Sequence, residues 1–289
     1  MRISNSTVIN NVLSNLNSNA VKLNELYQQA SSGKIFENPS DDPSGFTYSM
    51  KLNSWISDNE QYQSNIESAS SWLTATDDAL DSAGDILTTL EELAVQAANE
   101  TLTEDELENI LTEVEELEEE LINIANTQQG DRYLFSGTAT TTASFNEDGE
   151  YQGDYNSIVR QVNSSTELEI SINGQEAFGD AFEAIHSLEE ALETGDTEAL
   201  STTVLSNISE AVNTNNTCRA EVGAKENRLE FTQTRLEDEN TNLNEILSNN
   251  EDVDLAEAYT KYANQQYIYE AALSASSSIL QISLVNFVS

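Results

Sequence analysis

Both prolines of this 289-residue chain fall within five positions, Pro39 and Pro43, so everything from Ser44 onward lacks the residue most destructive of a helix interior. The sequence uses that freedom. Ile66, Ala69, Leu73, Thr76, Leu80, Ala83, Leu87, Leu90, Ala94 and Ala97 recur at 3,4 spacing, which predicts one stripe on one helix over about 46 Å. Thr103 with Glu106 reads as a capping box, and Leu107, Ile110, Val114, Leu117, Leu121, Ile124 and Gln128 continue the period behind it. The short Asn99 to Leu102 connection predicts two antiparallel helices, with Gly130 stopping the second.

The two ends carry narrower seams. Ile9, Val12, Leu16, Asn19, Leu23, Leu26 and Ala30 form one; Leu255, Tyr259, Tyr262, Gln266, Tyr269, Leu273, Ser276, Leu280, Ser283 and Phe287 form the other. Seams this thin, broken by Asn19, Gln266, Ser276 and Ser283, leave each helix marginal alone, so the ends are expected to pack on each other or on neighbouring copies. The candidate assembly residues are Ile9, Val12, Leu16, Leu23, Leu26, Leu255, Tyr259, Tyr262, Tyr269, Leu273, Leu280 and Phe287. Asp42 before Pro43 reads as an N-cap and first helical residue, and Asp254 with Glu257 as the cap of the last helix.

Between the helical halves the period changes. Glycines cluster from Tyr133 to Asp180, Ile158/Arg160/Val162 and Leu168/Ile170/Ile172 alternate as strands do, and Asn173-Gly174 reads as a two-residue hairpin turn. Helix is expected to resume near Ala181, pause at Gly195-Asp196, and run from Thr197 to Leu247. The fold class is therefore mainly α: an elongated antiparallel helical bundle or coiled coil built by the N- and C-terminal halves, with a small β-rich insertion. Expected divisions are terminal helices at 1–42 and 250–289, a helical rod at 43–132 and 181–249, and a small β-rich domain at 133–180.

Chemistry is sparse. Fifty-two acidic against eleven basic residues give a formal charge of −41, which repels nucleic acid and anionic lipid, leaves proteins as the expected partners, and suggests salty surroundings. No apolar run approaches a membrane span, and the first residues show no cleavable secretory signal. Cys218, the sole cysteine, reads as a core thiol rather than a reactive one, and an intrachain disulfide is impossible. His186, the sole histidine, sits on an ordinary amphipathic stretch, so no catalytic, cofactor-binding or metal-ligating set is assigned and no enzyme or cofactor is expected.

A resemblance enters with the turn cluster Ser31-Ser32-Gly33-Lys34 and Pro39-Ser40-Asp41-Asp42-Pro43. It is joined by Trp72-Leu73 with Thr76-Asp77, and by Glu92-Leu93-Ala94-Val95-Gln96 with Asn99 and Thr101. Tyr133-Leu134-Phe135-Ser136-Gly137, Tyr151-Gln152-Gly153-Asp154 and the closing Ser283-Leu284-Val285-Asn286-Phe287 complete the set. In this order, over nearly the whole chain, they resemble the flagellin superfamily, and within it the hook-filament junction family, hook-associated protein 3, more than flagellin itself. The resemblance implies an axial component of the bacterial flagellum joining the hook, via the first hook-associated protein, to the flagellin filament as a ring of its own copies. It also implies export through the flagellar type III apparatus, with a cytoplasmic chaperone on the C-terminal helix, and an extracellular location; the alternative is flagellin itself.

Overall fold

The computed structural model describes residues 5–99 and 102–288. Among the described residues, seven α-helices and four short strands follow in chain order: α1 Asn5–Ser32, α2 Pro43–Ala97, α3 Glu104–Ala125, β1 Gln128–Gln129, β2 Arg132–Tyr133, β3 Val159–Asn163, β4 Thr166–Glu169, α4 Gly174–Thr194, α5 Thr197–Ala199, α6 Leu205–Glu251 and α7 Leu255–Val288. A π-helical turn, Leu200–Val204, joins α5 to α6. The architecture is mainly helical with two small two-stranded antiparallel sheets, β1-β2 and β3-β4.

The chain divides into two compact units, one of residues 1–58 with 239–289 and one of 59–238. In the second, all ten positions of the α2 stripe from Ile66 to Ala97 are at most 1% exposed. Each buried leucine there contributes roughly 1.5–3 kcal/mol of transfer free energy. The more polar α6 follows the same beat: Ile208, Ala211, Asn215, Cys218, Val222, Leu229 and Leu236 are all buried, as is Val204 in the turn before it. Asn215 is tolerated because its Nδ2 donates to the Leu80 carbonyl at 3.0 Å. A Cβ at Gly84 would stand 2.9 Å from that amide, so the glycine makes its room. Arg219 reaches Asp77 at 3.2 Å and Asp81 at 2.6 Å along the same pair of helices.

The expected capping box on α3 is present, with Glu106 accepting from the Thr103 backbone at 2.8 Å. The helix ends at Ala125, earlier than Gly130, because Asn126 turns aside: its Nδ2 donates to the Phe145 carbonyl and its Oδ1 accepts from the Phe145 backbone. Gly130 instead lies in the turn between β1 and β2.

Asn173-Gly174 is not a hairpin turn. Asn173 caps α4, its side chain accepting from the Gln175 backbone at 2.8 Å, so helix begins at Gly174 rather than near Ala181. The hairpin turns earlier, between Asn163 and Thr166, where Asn163 Oδ1 accepts from the Ser165 backbone. Asn-Gly satisfies both motifs locally, and the apolar run Ala177, Phe178, Ala181, Phe182 and Ile185, all buried, decides for helix. Gly195 ends α4 in the left-handed conformation and Asp196 caps α5, as its sequence suggests.

Candidate assembly surface and its supporting motifs

In the first unit α1 and α7 lie side by side. Gln265 on α7 meets Asn19 on α1, while Tyr262 meets Tyr27 with ring centroids 5.8 Å apart, so the helices run antiparallel. On α1 the seam falls where its spacing puts it: Ile9, Val12, Leu16, Leu23 and Leu26 are half-buried and Ala30 is buried. Leu13, Val21 and Tyr27 are exposed beside it.

On α7 the covered strip is rotated from the expected one. Ala258 and Gln265 are buried, and Tyr262, Tyr269, Ala272 and Ser276 are half-buried, a 4,3,4,3,4 series. Tyr262 and Tyr269 therefore belong to the covered strip. Leu255, Tyr259 and Leu273 remain exposed, at 51%, 60% and 42%. At 100° per residue the exposed three lie on the strip of α7 immediately beside the covered one. Leu280 and Phe287 lie outside the described side chains, as does Ser283. Gln266, expected in the seam, is exposed and donates to Glu270 on its own helix. The covered strip escapes a hydrophobicity count because Ala258 and Ala272 are small and Gln265 is polar.

The turn between α1 and α2 fastens the base of this pair. Lys34 binds Glu251 at 2.6 Å, the Ile35 backbone donates to the Glu251 carbonyl, and the Val253 backbone donates to the Gly33 carbonyl. Asp41 accepts from the Asn38 backbone and Asp42 from those of Ser44 and Gly45. These hydrogen bonds hold both carboxyls below the ordinary range, Asp41 chiefly through Asn38 and Asp42 chiefly through Gly45. Asn250 donates to the Gly45 carbonyl and to Ser49, and Leu52, Ile56 and Leu243 form a small core between α2 and α6 within this unit.

In the second unit, Tyr133 to Gly137 and Tyr151 to Asp154 prove to be two halves of one clasp. Phe135 is fully buried, edge-on to Phe178 at 4.8 Å, and Phe145 joins the cluster against Phe178, Phe182 and Tyr151. The Tyr151 hydroxyl donates to the carbonyls of Phe135 and Asp154, at 3.1 and 2.7 Å. Asp154 in turn accepts from the backbone and hydroxyl of Thr138. Gly137 turns at φ +64 against Asp154, where a side chain would collide. Burial pushes the Tyr151 hydroxyl up to about 12, and the Thr138 hydrogen bonds hold Asp154 low.

The family model for the bacterial flagellin N-terminal helical region matches residues 3–140, and that for the C-terminal helical region matches 205–288. The chain belongs to the flagellin family. Among its relatives is flagellar hook-associated protein 3 of Escherichia coli strain K12, 29% identical over 285 residues that span 89% of this chain and 90% of the relative. Flagellin of Bacillus subtilis strain 168 is 27% identical, over 94% of each chain. The crystal structure of Bacillus cereus FlgL superposes with a TM-score of 0.61 at 28% identity, covering 68% of this chain and 98% of that one. Flagellin-family membership makes this chain a structural component of the flagellum, and the hook-associated relatives are better supported than the flagellins. No helix among the described residues is long and apolar enough to cross a membrane.

Proposed function

We propose that this flagellin-family chain is the junction subunit that joins the flagellar hook to the filament, assembling as a ring of its own copies through α1 and α7. The observation that carries assembly is the exposed strip Leu255, Tyr259 and Leu273, which lies beside the strip covered by α1 and is left open by it. A neighbouring helix laid there buries apolar surface that the single chain leaves in water. The choice of junction over filament rests on the likeness to hook-associated protein 3, spread over nine-tenths of both chains.

On this reading its neighbours are the first hook-associated protein on one side and flagellin on the other. The chain leaves the cell through the flagellar type III apparatus with a chaperone on α7, works outside the cell, and catalyses no reaction. Domain roles follow the same reading: terminal helices inward, the clasped β segment outward.

Deletion of the gene in its own bacterium tests it. Hooks without filaments, with flagellin shed into the medium, support the junction; filaments that still grow on the hooks overturn it. The second reading, filament subunit, is favoured by the full-length match to the Bacillus subtilis flagellin. Copy number per flagellum separates the two, since a ring needs one helical layer and a filament needs very many.

A further inference from the structure

The one histidine of the chain stands in the second unit, where α3 and α4 pack together. His186 and Glu189 are three residues apart on α4 and so share a face. Glu118 comes to that face from α3. One ligating atom from each of the three lies within 4.8 Å of the other two. His186 Nε2 stands 3.2 Å from Glu118 Oε1. Around a tetrahedral zinc ion with bonds of about 2.0–2.1 Å, neighbouring ligand atoms are about 3.3 Å apart, so this pair already has the spacing of two ligands.

A carboxylate oxygen of Glu118 and one of Glu189 also lie within 4.8 Å of each other. Two carboxylates this close bring only acceptors and like charge, which a cation held between them offsets. Among the described ion pairs, neither Glu118 nor Glu189 meets a lysine or arginine. The helices that hold the three are fixed from below by Val114, Leu121, Ile185 and Leu188, all buried in one core.

We propose that Glu118, His186 and Glu189 bind a divalent transition cation of the zinc class, which ties α3 to α4. One imidazole nitrogen with two carboxylate oxygens suits zinc or cobalt better than magnesium or calcium, which favour all-oxygen shells. Glu118 and Glu189 are half-buried and His186 is exposed, which leaves water to complete the shell. The cation replaces the repulsion of the carboxyl pair with attraction and, by binding the folded chain alone, stabilises it by mass action. This site shares no residue with the assembly strip on α7, so its fate and that of the junction reading are measured separately.

The test uses the full chain freed of metal. Titration with zinc chloride followed by calorimetry is expected to show one equivalent bound about 100-fold more tightly than magnesium. His186→Ala and Glu189→Gln each weaken zinc binding by about 10-fold or more, while Glu108→Gln, an exposed change on the same α3, leaves it unaltered. Because His186 is the only histidine, its imidazole proton NMR signals report this site without any variant, and one equivalent of zinc is expected to shift them. Zinc uptake no tighter than that of magnesium, equal uptake by His186→Ala, or imidazole signals unmoved by zinc would each overturn the proposal.

Discussion

The amide of Gln265 on α7 donates to both oxygens of Asn19 on α1, at 3.3 Å to the side chain and 3.4 Å to the backbone. Gln265 is 6% exposed and Asn19 half-buried, so this polar pair sits within the largely apolar contact of the two helices. Removing one partner leaves the other desolvated and unpaired, whereas replacing both with apolar groups is close to neutral. Gln265→Leu alone is therefore expected to destabilise the α1–α7 pair by about 1–2 kcal/mol, and Asn19→Leu with Gln265→Leu to restore it. Amide hydrogen exchange along α1 measures this; an additive double variant would show that the pair is not coupled.

The clasp gives a second expectation. Tyr151→Phe takes the shared hydroxyl from the carbonyls of Phe135 and Asp154 while keeping the ring against Phe145. A loss of about 1–2 kcal/mol in urea unfolding is expected. Wild-type stability in this variant would mean that the aromatic packing alone closes the clasp.

Acid should loosen the turn ahead of α2. A carboxyl whose pKa is depressed by folding lends stability above its unfolded value and loses it as pH falls through the lower folded one. For Asp41 and Asp42 that window lies below about pH 4. Asp42→Ala, which removes the cap, is expected to start less stable and to lose less on acidification. Identical acid limbs of helicity for variant and wild type would contradict this.

Cys218 is buried, and burial raises its thiol to about 11. At pH 8 the folded chain should react with iodoacetamide about 100-fold more slowly than the urea-unfolded chain, since the thiolate is both scarce and covered. Comparable rates in the two states would place the thiol at the surface.

The formal charge of −41 predicts that salt stabilises the fold. Raising salt from about 0.01 M to about 1 M shortens the screening length from about 30 Å to about 3 Å, and Tm is expected to rise across that range. A flat profile would remove the inference that the chain is suited to brine.

Long-period features were the legible ones. Each of the ten α2 positions repeats the same packing demand, and the buried stripe matches all ten. Cys218 and the Thr103–Glu106 box were readable because burial of a small thiol and reciprocal capping follow from local spacing. Asn173-Gly174 was misread because the same dipeptide serves a turn or a helix cap, and only the aromatics packed beyond it choose. On α7 the spacing found Tyr262 and Tyr269 but not Ala258, Gln265 and Ala272, which are covered although small or polar and so carry little hydrophobic signal. The approach of Glu118 to His186 depends on how α3 and α4 align, which neither helix encodes by itself.

On the proposed assembly through α1 and α7, the open strip on α7 has a consequence for how copies join. Because Leu255, Tyr259 and Leu273 are already uncovered while Tyr262 and Gln265 hold α1, an incoming helix has a place to land without evicting the one present. Growth by addition, with no exchange of segments between copies, is the route this geometry leaves open.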